Sequence, residues 1–171
     1  MVLLCSLLFA LCSTSALALM SDKDAPIHID AKHVDLNEKT QIAVYRGNVV
    51  LTQGTFRLEA ERLEVRARNY KARVVNAWGA PVRLKVRPDD RDEDAHAAAM
   101  RLTYNVDQRE VELSGEALLR QGEDEFRAAV IHYDLDEQLL TAVGGSGAET
   151  EERVHAVIYP KADAPGEPNA P

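Results

Sequence analysis

The sequence predicts an all-β protein of antiparallel strands, on three observations. Apolar and polar residues alternate along stretches such as 49–65, a period of two that is typical of strands with one dry and one wet face. Gly, Asn and Asp recur about every ten positions, where hairpin turns are needed. No stretch shows the spacing of apolar residues that is typical of an amphipathic helix.

The first element, residues 1–18, is predicted to be a signal peptide. It is uncharged and apolar and ends in Ala16-Leu17-Ala18, an A-x-A cleavage site. A membrane anchor is the alternative, but Ser13, Thr14 and Ser15 break an apolar run already shorter than the ~20 residues of a spanning helix. Cleavage would remove Cys5 and Cys12 and leave an exported protein without thiols.

Residues 19–160 are predicted to form one domain built from a repeated unit. Ala31 to Gly47, Ala99 to Gly115 and Ala129 to Gly145 have the same length, and Ala60 to Gly79 is slightly longer. Each unit is predicted to be strand, turn, strand and glycine turn, so neighbouring hairpins must stack to bury their dry faces. The predicted turns lie at Asn37-Glu38, Asn69-Tyr70, Asp107-Gln108 and Asp136-Glu137.

Two further segments are predicted to be irregular. Residues 88–96, "PDDRDEDAH", form an acidic loop that interrupts the repeat. Residues 161–171, "KADAPGEPNAP", contain no large apolar side chain and are predicted to be a disordered tail.

The sequence contains no convincing catalytic or metal motif. Asp90, Asp92 and Asp94 match the first half of a calcium loop, but Ala95 replaces the required Gly and Arg101 the bidentate Glu. Residues 144–147, "GGSG", lack the Lys of a phosphate loop. No serine nucleophile motif occurs, and the five histidines lack metal-ligand spacing. We therefore expect no enzyme activity, no cofactor and no metal.

The charge is acidic overall but uneven. The net charge of −8 argues against a nucleic-acid partner. Arg62, Arg66 and Arg68 alternate with apolar residues, as do Arg83, Lys85 and Arg87, so this basic stripe faces away from the dry side. A solvated face and a contact with an anionic partner both fit such a stripe.

The dry side is aliphatic, since aromatic residues make up only 5% of the chain. In the segment 44–65, alternation places one set of residues on one side: Val49, Leu51, Phe56, Leu58, Leu63 and Val65. Such a wall suits flexible aliphatic chains as well as a closed core. Alternation alone does not distinguish the two.

Five segments resemble the OstA-like/LptA family of periplasmic lipopolysaccharide-export proteins. They are "APIHIDAKHVDL", "YRGNVVLTQGTFRLEAERLEV", "AWGAPVRLKV", "MRLTYNVDQREVELSGEALLRQ" and "IHYDLDEQLLTA", and the resemblance runs from Pro26 to Pro160. It implies an open, twisted β-jelly roll of about 16 short strands, in which two antiparallel sheets face each other across a V-shaped apolar slot. It also implies a location in the periplasm.

The same resemblance implies a function and its site. Lipopolysaccharide acyl chains would lie in the slot, and the protein would deliver lipopolysaccharide to the outer membrane. Alternation within the strands, together with the family's inward positions, predicts these slot-facing residues: Ile27, Ile29, Leu51, Leu84, Tyr104 and Val106.

The resemblance further implies partners that join edge to edge: an LptC-like protein in the inner membrane, an LptD-like protein in the outer membrane, and further copies of the chain. The terminal segments 26–30 and 153–160 suit β-strand addition because neither carries a central Pro or a block of Lys. The predicted edge residues are Pro26, His28, Asp30, Val154, Ala156, Val157 and Ile158.

Two alternatives remain from the residues alone. The chain could be a periplasmic domain of an LptC- or LptD-type relative or a carrier of another lipid, or a hydrolase on a jelly-roll scaffold. A hydrolase requires convergent polar residues, which the sequence does not show.

Overall fold

The computed structural model describes residues 25–88, 93–145 and 153–160, and every regular element in these ranges is a strand. The predicted signal peptide and tail lie outside the described residues, as do 89–92 of the acidic loop and 146–147 of the glycine-rich segment. The described part holds no helix that could span a membrane. The strands are β1 (His28–Asp30), β2 (His33–Asn37), β3 (Ile42–Gln53), β4 (Phe56–Arg68), β5 (Lys71–Val86), β6 (Ala95–Asn105), β7 (Glu110–Gln121), β8 (Asp124–Asp134), β9 (Leu139–Val143) and β10 (His155–Val157).

The strands form one antiparallel sheet that does not close into a barrel. Its order is β1-β3-β4-β5-β6-β7-β8-β10, with β2 also paired to β3 and β9 to β8. At each edge of the sheet, therefore, two short strands pair side by side with different parts of one long strand, β1 and β2 with β3, and β9 and β10 with β8. The prediction of an open, antiparallel, all-β fold is confirmed.

Tight turns join the long strands where the sequence places Asn and Asp. Three four-residue turns follow one plan, in which a side-chain oxygen accepts a backbone N–H two or three residues later and the last residue is left-handed. The capping residues are Asn37, Asn105 and Asp134, and the left-handed residues are Gln41, Arg109 and Gln138. The fourth predicted turn, Asn69-Tyr70, has only two residues, and both are left-handed.

Irregularities near the middle of the long strands divide the sheet into two arms. Five neighbouring pairings shift register there, at Arg46/Val49, Glu59/Arg62, Trp78/Val82, Ala98/Arg101 and Ser114/Ala117. Such bulges bend a strand and increase its twist. We call residues 28–30, 49–60, 82–86, 95–99, 117–128 and 155–157 the first arm. Residues 33–46, 62–78, 101–114 and 130–143 form the second arm.

Two of these bulges use the backbone freedom of glycine. Gly47 and Asn48 are left-handed in β3, with φ of 82° and 49°, and Gly115 and Glu116 repeat this in β7, with φ of 77° and 52°. A Cβ on Gly115 would lie 2.9 Å from the Cβ of Met100. Glycine is therefore required there for space as well as for backbone conformation.

The strand count differs from the expected two sheets of about 16 short strands. Hydrogen bonding gives one sheet of ten strands, because the bulges shift the register without ending the strands. The division into two facing jelly-roll sheets is not confirmed in that form.

The core lies between the two arms, close to the bulges. Leu63, Ala77 and Ile131 have 0% exposure, although an isolated sheet would leave both of its faces in water. The described residues contain no helix or second sheet to cover them, and a single apolar cluster contains residues of both arms. The sheet therefore buries its own dry face, and its bent strands are what make this possible.

Candidate functional site

The register of the sheet aligns apolar side chains into continuous rows. Directly paired residues lie on the same face of antiparallel strands. One row crosses the whole first arm, and we call it the first rim row. It contains Ile29, Leu51, Leu58, Leu84, Ala97, Leu119, Phe126 and Ala156.

The second arm has two such rows. The row nearer the bulges, the vertex row, contains Val34, Tyr45, Leu63, Ala77, Leu102, Leu113, Ile131 and Ala142. The next row outwards, the second rim row, contains Leu36, Ala43, Val65, Val75, Tyr104, Val111, Tyr133 and Leu140. None of the three rows contains a charged residue.

Burial falls from the bulges towards the turns. In the vertex row Leu63 and Ile131 are completely buried and Leu113 is 4% exposed. No member of the second rim row is fully buried, although both rows are equally apolar. This gradient is what two arms produce when they touch at the bulges and separate towards the turns. The open part is an apolar wedge whose walls are mainly aliphatic, with Phe126, Tyr104 and Tyr133 as the aromatic members of the rim rows.

Four of the predicted slot-facing residues lie along this wedge. Ile29, Leu51 and Leu84 share the first rim row, and Tyr104 belongs to the second rim row. All four are partly buried and pack against the core. Their contact with a lipid stays a prediction.

The other two predicted residues lie outside the strands. Ile27 precedes β1 and is 60% exposed. Val106 follows β6 in a turn, where its N–H donates to the carbonyl oxygen of Arg73 at 2.9 Å. Neither belongs to the group that packs on the core.

Sequence reasoning left out the C-terminal part of both rim rows. Leu119, Phe126 and Leu140 line the same wedge and pack against the core. The alternation in "ALLRQ" and "EFRAAVIHY" is the signal that would have found the first two.

The opposite face of the sheet is polar. The row beside the first rim row, one residue along each strand, contains His28, Thr52, Arg57, Lys85, His96, Arg120, Glu125 and Val157. The predicted basic stripe therefore does face away from the dry side. Much of the positive charge on this wet face is paired: the Lys85 ammonium lies 2.8 Å from Asp94, and the Arg57 guanidinium lies 2.9 Å from Glu59.

A buried polar cluster lies on the wet face of the second arm. Glu64 and Asn76 are only 8% and 5% exposed, and both arginine partners of Glu64, Arg62 and Arg66, lie at 2.8 Å. The Arg62 guanidinium also lies 4.8 Å from the centre of the Trp78 ring, a cation–π distance. The ion pairs lie within β4, and the Arg62–Trp78 contact joins β4 to β5 on the wet face.

Ion pairs shift the pKa values of three carboxyl groups in the same direction. Hydrogen bonding and charge from Arg66 and Arg62 lower the pKa of Glu64, although burial opposes the shift. Lys85 and Arg87 lower the pKa of Asp94, and Arg120 and Arg127 lower that of Glu125. No carboxyl pKa is raised towards neutrality among them, so these groups are suited to structural ion pairs and not to general acid catalysis. Within the described residues no group of His, Cys, Asp and Glu could hold a metal ion.

The edges of the sheet are formed by the strands predicted to meet partners. β1, which includes His28 and Asp30, pairs with β3 on one side, and β10, which includes Ala156 and Val157, pairs with β8. Pro26, Val154 and Ile158 flank these strands and are exposed. In the described residues nothing pairs with the outer side of either strand.

Known proteins share both this fold and this sequence. The family model described as "LptA/(LptD N-terminal domain) LPS transport protein" matches residues 28–139. The lipopolysaccharide export system protein LptH of Pseudomonas aeruginosa is 33% identical over 91% of each chain. LptA of Escherichia coli K12 is 29% identical over 94% of this chain and 84% of that protein.

A solved structure extends the similarity to three dimensions. The crystal structure of P. aeruginosa LptH matches with a TM-score of 0.73 and 29% identity, covering 82% of this chain and 100% of that chain. That protein is described as the LptA-homologous periplasmic component of a conserved lipopolysaccharide transport device. The open antiparallel sheet with one apolar face is thus the fold of a periplasmic component of a lipopolysaccharide transport device. The chain belongs to the LptA/LptD N-terminal domain family, which confirms the resemblance seen in the sequence.

Proposed function

We propose that this protein binds lipopolysaccharide in the periplasm and carries it towards the outer membrane. The observation that carries the proposal is the burial gradient along the apolar rows. Rows without charges that are half-buried at the rim provide contact for acyl chains, each buried methylene of which contributes about 0.8 kcal/mol. The export function of its relatives supports the same proposal.

The lipid is held in this proposal without chemical change. The rim rows offer a bound chain no carboxylate, histidine, cysteine or serine, only the hydroxyls of Tyr104 and Tyr133, and the polar pairs lie on the other face. The protein would therefore act as a carrier, not as an enzyme, and would need no cofactor. Export would depend on cleavage of residues 1–18, with residues 19–160 as the working domain and 161–171 as a tail.

The terminal strands are proposed to connect the carrier to its partners. An LptC-like protein, an LptD-like protein or another copy would add a strand to β1 or β10 and extend the sheet. The first rim row ends at these strands, in Ile29 and Ala156, so an added strand continues the apolar wall of the first arm. Main-chain pairing would supply most of the affinity.

A photo-crosslinking experiment tests the lipid site with controls inside the same strands. A crosslinking residue at Ile29 or Leu84 should capture lipopolysaccharide in the periplasm. The matched positions His28 and Lys85 are the adjacent residues, on the opposite face, and should not. Equal capture at all four positions would rule out a one-sided lipid site.

A second candidate is a periplasmic domain of an LptC- or LptD-type protein, since the matching family model includes the N-terminal domain of LptD. Carriage of another lipid is a variant of the same idea. Mass spectrometry of the protein isolated from its native envelope separates these possibilities. Bound lipid A in a soluble, processed chain supports the carrier, whereas an anchored chain or a different lipid supports the alternative.

A further inference from the structure

The hairpin tip between β4 and β5 concentrates several unfavourable features. Arg68 and Lys71 lie directly opposite each other across the hairpin, and both are exposed. Like charges in this position destabilise a hairpin. Neither forms an ion pair with any described residue, whereas neighbouring Arg66 and Arg73 are paired with Glu64 and Asp107.

The turn itself carries a further cost. Asn69 and Tyr70 have φ of 53° and 60°, so both are left-handed. A two-residue turn of this type favours Asn followed by Gly, and a bulky second residue is strained. The other two-residue turns of the sheet place Gly54 and Gly122 in the left-handed position. Tyr70 is also 87% exposed, so packing does not compensate for the strain.

The tip is nevertheless held in a fixed position. The N–H of Tyr70 donates to the side-chain oxygen of Gln41 at 3.2 Å, and the N–H of Ala67 donates to the Gln41 carbonyl at 2.9 Å. Gln41 belongs to the neighbouring turn and is itself left-handed. Two cations and an amphipathic ring are therefore displayed from a preorganised support, and preorganisation reduces the entropy lost on binding.

The position of the tip indicates its ligand. Arg68 lies three residues beyond Val65 of the second rim row, about 10 Å along the strand and at the end of the hairpin. This odd offset places it on the wet face, with its partner Lys71, so these cations would meet a headgroup that curls over the end of the hairpin from the wedge. Arg and Lys bind phosphate through charge-assisted hydrogen bonds, and Tyr favours the boundary between polar and apolar surroundings.

We infer that Arg68, Tyr70 and Lys71 form a headgroup site that binds the phosphate groups of the carried glycolipid. This inference rests on the proposed function and adds to it a polar determinant at the rim. Local strain that persists without compensating packing is typical of functional positions. Phosphate recognition would favour phosphorylated lipid over other lipids with the same chains.

The test compares two lipids and two double variants in the full-length processed protein. The lipids are phosphorylated lipid A and the same lipid A after enzymatic dephosphorylation. R68Q/K71Q should bind the phosphorylated lipid about tenfold more weakly, a change of ~1.4 kcal/mol. It should bind the dephosphorylated lipid like the parent. The control R57Q/R83Q removes two exposed charges from the wet face of the first arm and should change neither affinity.

Each result has a distinct meaning. An unchanged affinity of R68Q/K71Q for phosphorylated lipid A overturns the headgroup site while leaving the carrier intact. Equal weakening towards both lipids also overturns it, because the loss would not depend on phosphate. If the parent binds neither lipid, the proposed function fails and the headgroup site fails with it. Addition of inorganic phosphate distinguishes a general anion site, which it would saturate, from a site that requires the lipid.

A substitution of Tyr70 separates function from structure. Y70G gives the turn its preferred residue and should raise the melting temperature by about 2–4 °C for a domain of this size. It should nevertheless weaken binding of phosphorylated lipid A. A variant that is more stable and binds as well as the parent would show that Tyr70 takes no part in recognition.

Discussion

Two short strands form each edge of the sheet, but the dry-face residues of the two edges differ in how far they are buried. At the N-terminal edge, β2 leaves Val34 and Leu36 of the dry face 59% and 67% exposed. At the C-terminal edge, the equivalent residues of β9, Leu140 and Ala142, are partly buried and pack against the core. The exposed residues of β9, Leu139 and Val143, lie on the wet face instead.

This difference gives the molecule a direction. The C-terminal edge completes its own inner wall, whereas the N-terminal edge leaves an apolar wall that a neighbouring strand could continue. Two edges that are unlike one another favour head-to-tail contacts, which propagate, over a self-complementary pair, which closes. The predictions below test whether the edges differ in this way, starting with the largest expected effect.

The largest effect should come from prolines in β10. Successive N–H groups of a strand point to opposite sides, so one of Ala156 and Val157 donates towards β8 and the other away from the sheet. Proline at the outward position should weaken end-to-end association at least about 100-fold without changing the melting temperature. Proline at the other position should loosen β10 from β8.

Val157→Thr is the matched control, because it keeps the N–H and the preference for a strand. Size-exclusion chromatography over a concentration series measures the association. If Ala156→Pro and Val157→Pro both associate as readily as the parent, the C-terminal edge is not a junction.

The second effect separates folding from edge function. Leu140→Ala should lower the free energy of unfolding by about 2 kcal/mol, because it removes a side chain that packs on the core. Leu36→Ala should cost less than about 0.5 kcal/mol, since Leu36 is already exposed. Urea denaturation measures both, and equal losses would show that the N-terminal wall is as closed as the C-terminal one.

The third effect concerns the middle of the sheet, where Glu64 of β4 makes the free energy of unfolding depend on pH. The pKa of Glu64 is lowered in the folded protein, so Glu64 contributes stability above its ordinary pKa of 4.5, and this is lost as pH falls through the lower folded value. Glu64→Gln should cost about 1 kcal/mol at pH 7 and flatten the acid dependence. Denaturation at pH 7 and in acid measures this. An unchanged acid slope would assign the dependence to other carboxyl groups.

The smallest effect compares the two glycine bulges, one in each half of the chain. Asn48 and Glu116 are left-handed at equivalent positions, and Asn tolerates this conformation better than Glu. Glu116→Asn should stabilise the protein by about 0.5 kcal/mol, and Asn48→Glu should destabilise it by a similar amount. Thermal denaturation of both variants measures it, and stabilisation by Asn48→Glu would contradict the explanation.

The sequence predicts the faces of this molecule better than its bends. Alternation correctly separates Leu84 from Lys85 and Ile29 from His28, because a strand has a fixed period of two. It also predicts the turns, since Asn37 and Asp134 cap the backbone locally. The family resemblance supplied the open shape.

The positions of the bulges could not be predicted from alternation in the sequence. The extra residue of the β7 bulge changes no local preference, because Gly115 and Glu116 are seen to oppose the single residue Ala129 only once β7 is paired with β8. The prediction for Ile27 and Val106 depends on alternation that continues beyond a strand end. In the structure β1 begins at His28 and β6 ends at Asn105, so both residues lie outside the strands. Alternation therefore no longer determines where these two side chains lie.

The strand order has a consequence for how the chain acquires its structure. From β3 to β8 every strand pairs with the next one in sequence, so each pairing closes a single hairpin. Closing one hairpin at a time limits the loop entropy that is lost at each step of folding. A chain that emerges from a membrane pore N-terminus first can therefore add one hairpin at a time. Among the described strands β1 and β10 are the exceptions, since each skips its neighbour in sequence, β1 to pair with β3 and β10 to pair with β8.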